Sequence, residues 1–131
     1  MIQSKNMNKR ILIVEDETDL REAMAEALDE AGFTIFTAAD GAAGLALAKT
    51  EQPDLILLDL MMPIMGGQEM LGHLREDPWG RYANVVILSA MDDVSHIANA
   101  HEGKILDYII KGHTSLDELV KEVRLLVLTA K

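Results

Sequence analysis

Five side chains that could do chemistry together lie where short apolar runs of the sequence end. Three are carboxylates, one is a hydroxyl and one is an ammonium: Glu15, Asp16, Asp59, Ser89 and Lys111. If three carboxylates share one pocket they repel one another, and the pKa of at least one of them rises unless a cation intervenes. Oxygen ligands without cysteine suit a hard cation such as Mg²⁺, which binds one or two carboxylates together with waters and phosphate oxygens.

The same residue types also suit a phosphoryl group. A lysine supplies a point charge and a serine supplies a hydrogen bond to phosphoryl oxygens. A carboxylate is an established nucleophile that forms an aspartyl-phosphate. The residue types therefore predict a site for a divalent cation and a phosphoryl group, provided that the fold brings the five side chains together.

The apolar runs that precede these side chains predict β-strands, because they are short and rich in branched residues. Four of the five runs are nearly continuous rather than alternating, which is typical of parallel strands covered on both faces. The second run is the one that lacks an ionisable group directly after it. The five predicted strands are Ile11–Val14, Phe33–Thr37, Leu55–Leu58, Val85–Leu88 and Tyr108–Ile110.

Helical patterns alternate with these strands. Apolar residues from Leu20 to Ala31 recur at helical spacing, and Gly32 follows where a C-terminal cap is expected. The last helix is expected to begin near Thr114 or Ser115, since each of them starts a sequence that resembles a capping box. The other predicted helices cover about Asp40 to Thr50, Gly67 to Arg75 and Asp92 to Glu102.

Strict alternation of strands and helices predicts an α/β domain with a parallel sheet and right-handed crossovers. Five units are too few for an eight-fold barrel, so we expect an open, doubly wound sheet with helices on both faces. Ligands of such sheets bind outside the carboxyl ends of the strands, where the strand order reverses. Because parallel strands place these ends on one edge, we expect the five side chains to converge there.

Length and composition limit the possible functions. The chain has 131 residues, which predicts one domain over 9–131 after an extended or disordered N-terminus at 1–8. Its 22 acidic and 12 basic residues give a net charge of -10, which argues against nucleic acid and anionic membrane as direct partners. It has no cysteine for thiol chemistry and no apolar run near the ~20 residues of a membrane span. We therefore expect a cytoplasmic domain.

Four motifs contain the residues singled out above: Ile11–Glu17 (ILIVEDE), Asp54–Pro63 (DLILLDLMMP), Val85–Ala90 (VVILSA) and Asp107–Lys111 (DYIIK). Each motif alone is moderately specific, but all of them in this order and at these spacings are highly specific. Through them the chain resembles a bacterial two-component response-regulator receiver domain of the chemotaxis-regulator type, over about Lys9 to Leu128. The resemblance implies a flavodoxin-like fold whose five parallel strands have the order 2-1-3-4-5, so that strands one and three flank the switch point.

The resemblance implies roles for the acidic residues. Asp59 would accept the phosphoryl group, and Asp16 and Asp59 would bind Mg²⁺ together with the backbone carbonyl of Met61. Glu15 would act through metal-bound water. The domain would catalyse only its own phosphorylation and dephosphorylation, so we do not expect an enzyme that acts on a separate substrate.

The resemblance also implies a switch and protein partners. Ser89 would hydrogen-bond a phosphoryl oxygen, Lys111 would pair with the phosphoryl group, and Tyr108 would turn inward when Ser89 moves. The phosphoryl donor would be a sensor histidine kinase or a phosphotransfer protein. The output would be a rearranged surface on the fourth helix, fifth strand and fifth helix, which a downstream protein or a second copy of the phosphorylated chain recognises.

The sequence departs from the family pattern at four positions. Gly112 follows Lys111 where proline is usual, and Gly66 stands where aspartate is common before the third helix. Met61 and Met91 replace residues that are often polar, which predicts a slower loss of phosphate. The change at Gly112 leaves open an alternative, a receiver-like module with weakened or lost phosphorylation that acts as a constitutive interaction domain.

A second alternative is a Mg²⁺-dependent phosphatase of the haloacid-dehalogenase type, which also forms an aspartyl-phosphate. Such enzymes carry a second aspartate two residues after the nucleophile and place the pair on the first strand. In this sequence Met61 stands two residues after Asp59, and Asp59 follows the third predicted strand. The pattern therefore disfavours the phosphatase.

Overall fold

The computed structural model describes residues 9–90 and 104–129, and a five-stranded sheet runs through them. Each predicted strand is confirmed, with its ends differing by at most one residue. Asp59 and Ser89 are consequently the last residues of their strands rather than the first residues after them. The strands are β1 Arg10–Val14, β2 Thr34–Ala38, β3 Leu55–Asp59, β4 Val85–Ser89 and β5 Asp107–Ile110.

All neighbouring strands of the sheet are parallel, and their order is β2-β1-β3-β4-β5, as predicted. In the register between β1 and β3, Val14 lies beside Leu58. On the other side of β3, Asp59 lies beside Leu88 of β4. The strand order therefore reverses between β1 and β3, and both strands end at the edge where the site was expected.

Within 9–90 and 104–129, three α-helices and one short 3-10 helix join the strands, and a fourth α-helix follows β5. Gly32 follows α1 with a φ of 103°, as a helix-ending glycine should. The predicted helix over about Asp92 to Glu102 lies outside the described residues. No helix of the described ranges is long and apolar enough to cross a membrane. The helices are α1 Thr18–Glu30, α2 Gly41–Glu51, α3 Gly67–Glu76, the 3-10 helix Gly80–Tyr82 and α4 Leu116–Thr129.

The C-terminal helix α4, which is the fifth helix of the sequence prediction, begins with a capping box. The Ser115 N–H donates to Glu118 Oε1 at 2.9 Å, and the Glu118 N–H donates to Ser115 Oγ at 3.1 Å. Of the two predicted boxes, the one that starts at Ser115 forms. Thr114 instead donates its hydroxyl to the Ile110 carbonyl at 3.1 Å, which ties the start of α4 to the end of β5.

Helices cover both faces of the sheet, as the continuous apolar runs predict. Successive residues of a strand point to opposite faces, so each strand contributes to two cores. Ile56 of β3 packs in the core with Met70 of α3, whereas Leu57 packs in the other core with Leu28 of α1, and all four are fully buried. This burial on both sides fixes the sheet, and with it the positions of the strand ends.

Two glycines let helices approach the carboxyl edge of the sheet closely. A Cβ on Gly67, the first residue of α3, would overlap the Asp59 carbonyl oxygen and lie 2.7 Å from Leu60 Cα. A Cβ on Gly44 of α2 would lie 2.8 Å from a Val14 methyl carbon. The chain after Asp59 is therefore held between β3 and the start of α3.

We predict opposite effects of the same substitution at two glycines of α3. Gly67→Ala should lower the free energy of unfolding by about 2 kcal/mol, because the added methyl group overlaps main-chain atoms. Gly72→Ala should raise it by roughly 0.5–1 kcal/mol, because Gly72 is exposed within the helix and a methyl group there meets nothing within 4 Å. Urea denaturation followed by Trp79 fluorescence measures both. Equal effects at the two positions would contradict the close packing of Gly67.

Candidate functional site

Three carboxylates meet at the carboxyl edge of β1 and β3. Glu15 follows β1 and is fully buried, Asp16 comes next and is exposed, and Asp59 ends β3 with 3% of its surface exposed. One carboxylate oxygen from each residue lies within 4.8 Å of the other two. Sequence reasoning placed these three residues at this edge, and the structure brings them together.

The ammonium of Lys111 joins two of these carboxylates. Its Nζ lies 2.8 Å from Glu15 Oε1 and 3.1 Å from Asp59 Oδ2. Lys111 follows β5, and its N–H donates to the Ser89 carbonyl at 2.7 Å, which continues the pairing of β4 with β5 by one residue. The edge strand β5 thus places Lys111 beside carboxylates at the ends of β1 and β3.

The other oxygen of each buried carboxylate accepts a hydrogen bond from the backbone two residues further on. Glu15 Oε2 accepts from the Glu17 N–H at 3.0 Å, and Asp59 Oδ1 accepts from the Met61 N–H at 3.2 Å. Each carboxylate is therefore held between Lys111 on one oxygen and its own loop on the other. Met61 itself is 54% exposed at the mouth of the site.

Burial and charge shift the ionisation of this group. Burial, and after it the charge of Glu15, raises the pKa of Asp59 to about 6, although Lys111 and the Met61 N–H oppose the rise. Burial acts to lower the pKa of Lys111, but hydrogen bonds and charges from Glu15 and Asp59 outweigh it, and the net shift is upward. Lys111 is therefore a permanent cation, and the carboxylates around it carry more negative charge than it neutralises.

The residues present fit a hard divalent cation. The cluster offers only carboxylate oxygens, which Mg²⁺ prefers, and exposed Asp16 opens it to solvent. Burial first, and the charge of Glu15 second, raise the pKa of Asp59, so the contact with Lys111 does not fully offset the cost of ionising this carboxyl. A cation bound among Glu15, Asp16 and Asp59 would neutralise the negative charge that Lys111 leaves uncompensated.

Arg21 contacts the site and was missed by sequence reasoning. It lies on α1, and its Nη1 donates to the Glu15 carbonyl at 2.9 Å and to the Asp16 carbonyl at 3.4 Å. The signal that could have found it is compositional, because Arg21 is the one basic residue between Glu15 and Glu30.

The two residues of the expected switch lie on neighbouring strands. Ser89 is fully buried at the end of β4, and its hydroxyl donates to the Ala90 carbonyl at 2.9 Å. Tyr108 of β5 has 46% of its surface exposed. The hydroxyl is thus bonded locally and the aromatic ring lies at the surface.

The turn after Lys111 uses the glycine that stands where proline is usual. Gly112 has a φ of 82°, in the left-handed region, whereas proline is restricted to about −65°. The described residues contain no cis peptide bond. The turn therefore has a conformation that proline could not adopt, and it still leaves Lys111 Nζ 3.1 Å from Asp59.

Comparison with known proteins supports one family. A family model described as the response regulator receiver domain matches residues 11–124. Response regulator MprA of Mycobacterium ulcerans is 33% identical over 125 residues, which cover 95% of this chain and 53% of that protein. The alkaline phosphatase synthesis transcriptional regulatory protein PhoP of Bacillus subtilis is 43% identical over 70 residues, 53% of this chain and 29% of that protein. The chain spans about half the length of the curated relatives it matches first.

Solved structures agree with this assignment. The receiver domain of Francisella response regulator 1452 is 30% identical, with a TM-score of 0.80 over 92% of this chain and 98% of that chain. Chemotaxis response regulator CheY4 of Vibrio cholerae, at 23% identity, shares the fold with a TM-score of 0.84 over 92% and 99% of the two chains. With a family model that covers nearly all the described residues, this chain belongs to the receiver domains of two-component response regulators.

Proposed function

We propose that this domain takes a phosphoryl group from a histidine kinase or a phosphotransfer protein onto Asp59 and uses it to change a protein-binding surface. The observation that carries the proposal is the position of Asp59. This carboxylate lies almost buried at the switch point of the sheet, 3.1 Å from the Lys111 ammonium and within 4.8 Å of two further carboxylates. A nucleophile, a fixed cation and a set of metal ligands are thus combined in one place.

The chain's own residues would position the acceptor for transfer. The Met61 N–H and the Lys111 ammonium hold one Asp59 oxygen each, so the carboxylate cannot rotate freely. In the transfer step a carboxylate oxygen forms a bond to phosphorus while the bond from phosphorus to the donor's imidazole nitrogen breaks, and the imidazole leaves with the electron pair. Such a step depends mainly on positioning and on neutralising charge.

Asp16, Asp59 and the backbone carbonyl of Met61 would hold Mg²⁺, with Glu15 acting through a bound water. When bound, the ion supplies positive charge that offsets the phosphoryl oxygens and the carboxylates. Lys111, whose ammonium lies 3.1 Å from Asp59 Oδ2, would add a second positive charge. Glu15, buried and in contact with Lys111 at 2.8 Å, keeps that ammonium aimed at the site.

The switch would follow from contacts that exist only after phosphorylation. Ser89 would release the Ala90 carbonyl and donate to a phosphoryl oxygen, and Tyr108 would move from the surface into the space that Ser89 leaves. Contacts made in one state and absent from the other are what allow a population shift. The changed surface would comprise the region predicted as the fourth helix, β5 and α4, and a downstream protein or a second copy would bind it.

The alternative of a module that has lost phosphorylation rests on Gly112. Gly112 could have displaced Lys111 from the site, since proline is usual at this position. The ammonium of Lys111 nevertheless lies within contact distance of Asp59 without a proline after it. The presence of Glu15, Asp16 and Asp59 in one cluster favours a working acceptor as well.

Phosphorylation of Asp59 can be tested directly. Incubation of the protein with acetyl phosphate and Mg²⁺ should add one phosphoryl group in intact-mass spectrometry, and hydroxylamine should remove it. The adduct should be absent in Asp59→Asn and absent when EDTA replaces Mg²⁺. An adduct that persists in Asp59→Asn would show another acceptor, and no adduct from acetyl phosphate or any phosphorylated kinase would favour the interaction module.

The raised pKa of Asp59, caused by burial and then by the charge of Glu15, predicts how stability depends on pH. The pKa of Asp59 is about 6 in the folded chain against 3.8 for an ordinary aspartate, so ionisation of this residue opposes folding. Its contribution to stability is therefore full below about pH 4 and is lost as the pH rises through 6, with a cost of up to about 3 kcal/mol above that. Asp59→Asn should consequently raise Tm by several degrees at pH 8 in EDTA and have little effect near pH 4.

Two controls make this stability experiment specific. Glu26→Gln removes an exposed carboxylate of α1 and should change stability by less than about 0.5 kcal/mol at either pH. Excess Mg²⁺ at pH 8 should stabilise the wild type more than Asp59→Asn and narrow the difference between them. A lower Tm for Asp59→Asn at pH 8 in EDTA would contradict the upward shift of the Asp59 pKa.

A further inference from the structure

The segment that carries two of the three carboxylates is short, and it is held through its backbone as well as through the Glu15 side chain. Glu15 and Asp16 are consecutive, yet Glu15 is fully buried beside Lys111 while Asp16 is exposed at the mouth of the site. The Glu15 N–H donates to the Ala38 carbonyl at 3.0 Å, which fixes where the segment leaves the sheet. The backbone after Glu15 must then turn so that the Asp16 carboxylate reaches the same 4.8 Å cluster.

Arg21 holds the two peptide groups that make this turn. The Nη1 of its guanidinium donates to the carbonyl of Glu15 at 2.9 Å and of Asp16 at 3.4 Å, from a position one turn into α1. Carbonyl direction and the direction of the Cα–Cβ bond are linked through the backbone, so fixing both carbonyls limits the positions that the Asp16 carboxylate can reach. Partners that orient metal ligands without touching the metal often determine metal affinity.

We infer that Arg21 is a positioning residue that holds the Glu15–Asp16 segment by its carbonyls and thereby sets the affinity of the carboxylate cluster for Mg²⁺. The inference rests on the proposed function, because it concerns the same cluster. It adds a residue whose two hydrogen bonds to the segment go to main-chain carbonyls and not to the carboxylate oxygens of the cluster.

Because Arg21 is charged, the direction in which its replacement changes Mg²⁺ affinity tests the inference. A guanidinium near a carboxylate cluster repels a divalent cation, so loss of its charge alone would make Mg²⁺ bind more tightly. Loss of its hydrogen bonds to the two carbonyls would instead loosen the Asp16 ligand and weaken binding. The two effects have opposite signs, and we expect the loss of the hydrogen bonds to be the larger.

The experiment is a calorimetric titration of the full chain with MgCl₂. Arg21→Met keeps much of the side-chain length, removes the charge and the donors, and should weaken Mg²⁺ binding roughly tenfold. Arg21→Lys keeps the charge but loses the planar guanidinium, and it should weaken binding less than Arg21→Met does but measurably. Arg124→Met removes an exposed arginine of α4 and is the matched control, with affinity expected at or slightly above that of the wild type.

A second readout separates positioning from a general structural role. The phosphorylation rate with acetyl phosphate should need about tenfold more Mg²⁺ for half-maximum in Arg21→Met and should approach the wild-type rate at saturating Mg²⁺. Unchanged or tighter Mg²⁺ binding in Arg21→Met, or wild-type affinity in Arg21→Lys, would overturn the inference and leave the proposed function standing. The proposed function would instead be overturned if the wild type did not bind Mg²⁺ at all. In that case its titration with MgCl₂ would release no more heat than that of Asp16→Asn, which lacks one of the ligands.

Discussion

The ammonium of Lys111 between Glu15 and Asp59 is the contact on which the arrangement of the site depends. It lies 2.8 Å from one buried carboxylate and 3.1 Å from the other, and the three residues come from positions far apart in the chain. Burial of a charged group without a partner costs several kcal/mol, so neither carboxylate could occupy this edge alone. One ammonium shared by two carboxylates makes the cluster tolerable to the fold and still leaves it negative, which is the condition under which a divalent cation can bind.

That contact depends in turn on the strand order. β1 and β3 are neighbours, so the carboxylates that end them meet directly, whereas β5 is separated from β3 by β4. Neighbouring strands lie about 4.8 Å apart, and the long stem of Lys111 is needed to pass the end of β4 and reach Asp59. β4 ends in Ser89, whose carbonyl accepts the Lys111 N–H at 2.7 Å and so fixes where that stem begins. Ser89 is small, so it leaves room for the Lys111 side chain to pass. In the proposed function its hydroxyl also contacts the phosphoryl group.

Sequence reasoning predicted those features that depend on periodicity and on topology. The strands were predicted to within one residue because their apolar runs are continuous, and the edge that carries the site followed because parallel strands end together. Features that depend on distances between remote atoms could not be predicted. The sequence singles out Arg21 as the one basic residue between Glu15 and Glu30, but it does not show that Arg21 donates to the carbonyls of Glu15 and Asp16. It also does not show that Ser115 rather than Thr114 begins the capping box. The positive φ of Gly112 belongs to the same class, since a glycine permits that conformation without requiring it.

In the proposed function, the charge of the cluster also gives a physical reason for phosphorylation to act as a switch at this edge. Glu15, Asp16 and Asp59 exceed the charge of Lys111 by two units, which a divalent ion offsets. A phosphoryl group gives the acceptor a charge of about −1.5 to −2 if it resembles other phosphorylated side chains, so the edge becomes negative again by up to about one unit. Further donors are then drawn toward it, and the Ser89 hydroxyl is a buried donor on the adjacent strand that now serves the Ala90 carbonyl. Moving that hydroxyl exchanges a neutral acceptor for a charged one, and charge-assisted hydrogen bonds are roughly twice as strong as neutral ones. In the proposed function, the difference between those two bonds would contribute to the free energy that drives the switch.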